Sequence, residues 1–464
     1  VHNLKRESMS KQILIVLGIL LVFGCADVSK ENQLQTGCSE GSESTPANEY
    51  VSPAPAPAPT PAPTVVSWAG IKQFGSSGDD AVLSVTTDNE GSVYVTGSTS
   101  RHIYVMGNSC GYSWNYYDLI TMKFNSGGEP QWCRRLGSTL GQRGHSIVSD
   151  STNNIYVTGW TFGSHGGYSN LGWRDIITAK YDSNGSQKWL KQFGDSGDDL
   201  GFGITLDNSG NVYVTGGTQS GLDGNTNSGA PSYNMDLFII KYDSEGNRSW
   251  TKQPGKGAGV GLANDSAGNI YLTGVDGGGL TKYNSAGVQQ WNQKLLDSNG
   301  TSVISQNQIS IDSSDSIYLA GSTTGNLGGY SNAGEADIFI VKYSSTGVQQ
   351  WIRQTGTASA DYPTSITIDS KDNVYITGNT KGALGSTSNA GENDIFVMSY
   401  NSNGTQQWVR QIGTTSSDSP GDIVVDPSDN IFVVGTTSGV LDANGYVGAI
   451  DGFVLKYDSD GNLQ

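Results

Sequence analysis

Asp88-Asn-Glu-Gly-Ser-Val-Tyr-Val-Thr-Gly97 joins a turn-forming cluster to a short β-branched and aromatic run that ends on glycine. Asp, Asn, Gly and Ser favour tight turns and Val-Tyr-Val-Thr favours a pleated strand, so the stretch reads as a turn feeding a strand. The phrase returns at residues 150–159, 207–216, 265–274, 312–321, 369–378 and 426–435, which makes seven copies. A second phrase follows the first. Its clearest form is Asp337-Ile-Phe-Ile-Val-Lys-Tyr-Ser-Ser-Thr-Gly-Val-Gln-Gln-Trp351, and others start at Asp118, Asp175, Asp236, Asp394 and Asp451. It reads as a strand, a glycine turn and a second strand opening with Trp. One more short run precedes each first phrase, as in Gly203-Ile-Thr-Leu206 and Ser365-Ile-Thr-Ile368.

Each repeat therefore holds four short antiparallel strands, named A to D, with A ending at the turn Asp. A four-stranded unit of this length is the size of a propeller blade. The fold class expected is all-β: a seven-bladed β-propeller of four-stranded antiparallel blades. The ends predict how the ring closes. The last repeat stops at Gln464, before its strand D, while Ile71-Lys-Gln-Phe-Gly75 nearly duplicates Leu190-Lys-Gln-Phe-Gly194. The N-terminal segment should complete the seventh blade and so pair an otherwise exposed sheet edge. The repeat register would place a Trp at position 70, whereas Trp68 comes two residues earlier. That offset keeps the side chain on the same strand face.

The seven Asp-x-x-x-x-[Ile/Val]-[Tyr/Phe]-[Val/Ile/Leu]-x-Gly copies resemble the bacterial β-propeller repeats called SBBP, over residues 67–464. The resemblance implies the fold and assigns no activity. The Gly-x-x-x-Trp spacing, as in Gly347 to Trp351, is also similar to the tryptophan-docking repeats of quinoprotein propellers, but those usually have eight blades.

Residues 1–24 read as a signal peptide. Lys11 precedes an apolar run, Ile13 to Phe23, which is too short to span a bilayer. Val22-Phe23-Gly24-Cys25 resembles the lipobox of bacterial lipoproteins, which implies cleavage before Cys25 and a lipid on its sulfur. Residues 25–66 read as a lipidated tether. Within it, alternating Pro over residues 53–63 excludes helix and sheet and predicts a polyproline II rod about 34 Å long. The expected location is the bacterial cell envelope. Ala26 is not the Asp that retains some lipoproteins at the inner membrane, which points to the outer one. The expected partners are the membrane through the lipid anchor and a protein or glycan ligand, with the chain monomeric.

The formal net charge of −17 and the lack of a Lys/Arg cluster in the mature part exclude nucleic acid as a natural partner. No His-Glu-x-x-His, Gly-x-Ser-x-Gly or Walker loop occurs, and no cofactor is expected. Beyond Cys25, the cysteines are Cys38, Cys110 and Cys133. Cys110 and Cys133 share a repeat and are the candidate disulfide in an oxidising compartment; three free thiols are the alternative.

Residues present in every blade are expected to serve the scaffold. Trp132, Trp189, Trp250, Trp291, Trp351 and Trp408, with Trp68, read as packing between blades. Chain direction puts the short A–B and C–D turns on one face and the variable B–C and D–A loops on the other, where binding normally sits. Trp114, Trp160 and Trp173 lie outside the framework, in or beside the B–C loops of blades one and two. Tyr104, Tyr112, Tyr116, Tyr117 and Tyr168 join them. They either bind a partner, as rigid aromatic anchors, or pack together to order two long loops. Asp80, Asp199, Asp361 and Asp418 occupy equivalent D–A positions. They are expected around the channel mouth, gathering a cation or acting as solvated loop caps. A non-catalytic interaction scaffold is the leading expectation. A propeller enzyme, like a polysaccharide lyase or a quinoprotein, with its site at the channel mouth is the second.

Overall fold

The computed structural model describes residues 68, 70–101, 103–105, 108–110, 117–228, 235–275, 279–300, 308–385, 388–442 and 448–464. They form seven four-stranded antiparallel sheets. Blade one is Asp80–Thr87 (A), Val93–Thr99 (B), Asp118–Phe124 (C) and Pro130–Leu136 (D), hydrogen-bonded in that order. Blades two to six repeat the pattern over residues 142–193, 199–256, 262–294, 308–355 and 361–412. Blade seven takes A, B and C from residues 418–457 and its outer strand from Lys72–Phe74, which pairs antiparallel with Asp451–Tyr457. Gly70 N–H also donates to the Gln464 carbonyl at 2.8 Å. Ring closure by the N-terminal strand is thus a feature of the structure. Blade four is the reduced one, with a three-residue strand A, Leu262–Asn264.

The hydrophobic core is divided among the seven interfaces between blades. Val85, Val95 and Phe124 of blade one pack with Phe432, Val434 and Val454 of blade seven, and six similar clusters follow around the ring. The alternation in strands B and C is weak because both faces of these central strands are covered, one by each neighbouring blade.

The recurrent Trp residues sit at these joints. Trp132 lies under the C–D turn of blade two, where a Cβ on Gly185 would come within 2.9 Å of the indole, and its Nε1–H donates to the Ser183 carbonyl. Trp351 and Trp408 make the same bond to Ser402 and Ser459. Trp68 fills the equivalent slot under Gly128 of blade one. Its indole N–H turns back to the Gly70 carbonyl instead, which is how a Trp two residues out of register is accommodated.

The turn Asp residues are organisers, buried in five blades and half-buried at Asp150 and Asp207. Asp88 accepts from the backbone N–H of Glu90 and Ser92 and from the Tyr94 hydroxyl. Lys123 stands 3.4 Å away and over the Tyr94 ring. Burial alone would raise the Asp88 pKa, but the Tyr94 hydroxyl, these two N–H groups and Lys123 hold it below the ordinary carboxylate value.

Cys110 and Cys133 are joined in a disulfide. It ties the long B–C loop of blade one to strand D of the same blade.

Candidate functional site

Strand A is the innermost strand, and it is bulged in blades one, two, three, six and seven. The register slips between Val82 and Ser84, Gly144 and Ser146, Gly201 and Gly203, Pro363 and Ser365, and Pro420 and Asp422. A bulge leaves one residue without a partner and turns the strand locally. The skipped residues are Leu83, His145, Phe202, Thr364 and Gly421, and all five line a central cavity of about 520 Å³. The volume is that of a small-molecule pocket.

Of the polar residues that line this cavity, which include Ser146, Gln308 and Thr364, two centres stand out. Asp422 accepts from Ser84 Oγ and Ser365 Oγ, each at 2.6 Å, and from the N–H groups of Val85 and Ile423. It is a clasp across blades six, seven and one. His145 differs. Its Nε2 accepts from Trp160 Nε1–H at 3.1 Å, and Phe202 meets the ring edge-on at 5.2 Å between centroids. Burial, with Arg143 and Arg174 nearby, lowers the His145 pKa to about 3. The imidazole is therefore neutral, and the bond from Trp160 places its proton on Nδ1.

A second constellation lies on the B–C and D–A loops of blades one and two. Thirteen large apolar side chains are exposed among the described residues, and six of them fall here: Tyr117, Leu140, Phe162, Tyr168, Leu171 and Trp173. Trp173 is 73% exposed and Leu171 65%. Beneath them Arg174 stacks on Trp160 and Phe162 and forms a two-pronged ion pair with Asp198, at 2.8 and 2.7 Å. Tyr117 donates to Asp79 at 3.2 Å, and its hydroxyl pKa is raised by burial and by that carboxylate. Trp160 is half-buried and committed to His145, so it supports the patch from below. Trp114, Tyr112 and Tyr116 lie outside the described residues, as do Cys25 and the side chain of Tyr104.

The four acidic candidates require a correction. Asp80, Asp199, Asp361 and Asp418 open strand A and are buried, at 0–2% exposure. Asp199 accepts from Asp195 N–H, Thr218 Oγ1 and Ser220 Oγ. Asp361 and Asp418 accept from the N–H and hydroxyl of Thr357 and Thr414, four residues back. They are loop caps, but dry ones, drawn under the D–A turn by these donors rather than turned to the channel mouth. Burial raises their pKa values against the pull of those hydrogen bonds. No metal-binding cluster occurs among the described residues.

His165 is a departure from the framework. Its N–H donates to the Gln192 side chain, as those of Leu222, Leu327, Leu384 and Leu441 do to Gln253, Gln354, Gln411 and Gln73. His165 thus stands in a leucine position, and its buried Nε2 has no partner among the described residues. Burial depresses its pKa. Above about pH 6.5 the ring is neutral folded and unfolded. Below it the unfolded chain takes up a proton that the folded chain resists, so stability is lost as pH falls. His165→Leu is expected to stabilise the fold by about 1–3 kcal/mol at pH 7, with a larger gain at pH 5. Thermal unfolding at the two pH values checks this; an equal or lower melting temperature for the variant counts against it.

Fold and loops together define a seven-bladed β-propeller with short turns on one face and loops of variable length on the other. Four of its segments, residues 131–167, 188–223, 350–385 and 407–442, match the family model of SBBP, the beta-propeller repeat. Each matched segment runs from strand D of one blade through A and B of the next. Among curated proteins, an uncharacterized WD repeat-containing protein of Acanthamoeba polyphaga mimivirus is 25% identical over 411 residues, 71% of this chain and 29% of that protein. The regulatory protein FlaEY of Caulobacter vibrioides is 25% identical over 232 residues, 48% of this chain and 20% of that protein. The matches thus cover less than a third of either relative. Among solved structures, a streptogramin B lyase aligns with 13% identity and a TM-score of 0.49, covering 85% of this chain and 97% of that one. Virginiamycin B lyase from Staphylococcus aureus aligns with 12% identity and a TM-score of 0.48, covering 83% and 98%.

Proposed function

We propose that the protein is a non-catalytic interaction module, held at the bacterial envelope by a lipid on Cys25, that engages a protein or glycan through the loop face of blades one and two. The observation that carries this reading is the gathering of exposed Trp173, Leu171, Tyr168, Phe162 and Tyr117 on one sector of the variable face. Contiguous exposed apolar surface marks interaction sites. Aromatic anchors lose little entropy on binding, and the Arg174–Asp198 pair beneath them holds the loop's geometry. The reading of Cys25 rests on the sequence Val22-Phe23-Gly24-Cys25 followed by a polar, Pro-rich segment.

Two measurements test it. Palmitate labelling and fractionation should place the wild type with membranes and Cys25→Ser in the soluble fraction; equal partition of the two removes the anchor from the proposal. Binding of the soluble Cys25→Ser protein to immobilised envelope polysaccharides and to a surface-protein array should fall about tenfold or more with Trp173→Ala. Val348→Ala, in the C–D turn of blade five, should leave it unchanged. Unaltered binding with a lowered melting temperature for Trp173→Ala would make the aromatic loops structural.

A further inference from the structure

The repeats provide an internal control at the bulge. The residue five places before each turn Asp is Leu83, His145, Phe202, Val260, Thr364 or Gly421 in six blades; Asn307 of blade five lies outside the described residues. The flanking scaffold recurs from blade to blade, as in the Asp–Tyr bonds of Asp88, Asp150, Asp207, Asp265, Asp312 and Asp369. The bulge position does not. It carries six different residues, and all six line the same cavity. Scaffold chemistry does not choose them, so they are free to suit an occupant.

His145 supplies the directional group. Trp160 occupies Nε2, which leaves the Nδ1–H as a donor with no acceptor among the described residues. Phe202 stands edge-on beside it, and Leu83, Val260, Pro363 and Pro420 supply apolar wall between the polar groups. Arg143, two residues before His145 and the register partner of Trp160, forms no ion pair among the described residues. Arg174 is neutralised by Asp198. Asp422, the carboxylate that lines the cavity, is saturated by its four donors. Around His145 the field is therefore positive, within a protein of net charge −17.

We propose that the central cavity is a binding site for a small aromatic carboxylate, whose ring packs against Phe202 and the apolar wall while one carboxylate oxygen accepts from His145 Nδ1–H. The site is distinct from the aromatic loop patch, the two meeting at Trp160, and the proposal does not rest on the patch binding a partner. 1-Naphthoate is a suitable probe, titrated calorimetrically into the full-length protein and followed by ¹⁵N-histidine NMR. One saturable site is expected, with a shifted His145 Nδ1 resonance. His145→Ala and Phe202→Ala should each weaken binding about tenfold or more. His145→Gln, which can still accept from Trp160 and donate to the ligand, should stay within about threefold of wild type. Trp173→Ala should bind the probe normally, which separates this site from the proposed partner face. Melting temperatures of the variants close to wild type establish that they fold. Absence of saturable binding overturns the proposal, as does wild-type affinity in both His145→Ala and Phe202→Ala. Equal affinity for 1-naphthalenemethanol overturns the assignment of a carboxylate.

Discussion

Deleting residues 68–74 is expected to abolish the stable monomeric fold. The deletion removes the outer strand of blade seven and leaves Asp451–Tyr457 as an open edge. Trp68 and Phe74, both buried in the joint between blades seven and one, go with it. So does Gln73, whose amide donates to Asp451 and Gly439 and whose oxygen accepts from Leu441 and Asp442. Removing one buried large aromatic side chain typically costs about 3–5 kcal/mol, and two such losses approach the whole stability of a typical domain, about 5–15 kcal/mol. The exposed edge adds a template for association. Size-exclusion chromatography and thermal unfolding should show aggregation or a melting temperature lowered by more than about 10 °C. A monomer melting within a few degrees of wild type would mean that the ring holds without its closing strand.

Gly378→Ala is expected to be among the most damaging single-methyl additions in the protein. Gly378 ends the repeated phrase in blade six and lies opposite the strand-A bulge. A Cβ there would sit 2.1 Å from the Tyr362 carbonyl oxygen, 2.5 Å from Phe396 Cζ and 2.6 Å from Pro363 Cα. Two of these are backbone atoms and cannot rotate aside. Overpacking of a tight interior costs about 1–3 kcal/mol and more where the backbone must move, so a loss of about 3 kcal/mol or more is expected in denaturant unfolding. Gly329→Ala is the comparison: its φ is +86° but nothing lies within 4 Å of its Cβ. It should lose only the conformational penalty, about 1–2 kcal/mol. Similar losses for the two variants would remove crowding as the reason for the glycine.

The same glycine shows why the scaffold was legible in the sequence and the cavity was not. Tight turns and buried joints use the same residues in every blade, so Asp88, Tyr94, Gly97 and Trp132 announce themselves by recurrence. The missing strand after Gln464 and its duplicate at Ile71–Gly75 announce the closure by the same logic. The cavity is built by the residue that does not recur. His145 and Phe202 share no identity with their counterparts, and a one-residue bulge opposite glycine sets their direction, which alternation alone reads wrongly. Asp80 and its equivalents failed differently. Acidic residues in loops read as solvated, yet a Thr or Ser hydroxyl and a backbone N–H on the same short turn were enough to bury them. His165 could have been found from the sequence, because the leucines at positions 222, 327, 384 and 441 mark its place.

The repeat and the blade are out of phase by one strand: the matched segments begin on strand D and continue into the next blade. Duplication of such a segment copies a joint between blades, not a blade. Every added copy brings its own adhesive surface on both sides, and the last blade is assembled from the first and last strands of the ring, as blade seven is here. Blade number can therefore grow or shrink by whole copies without redesigning any contact, and a lineage built this way inherits its clasp as a by-product of where the copying frame starts.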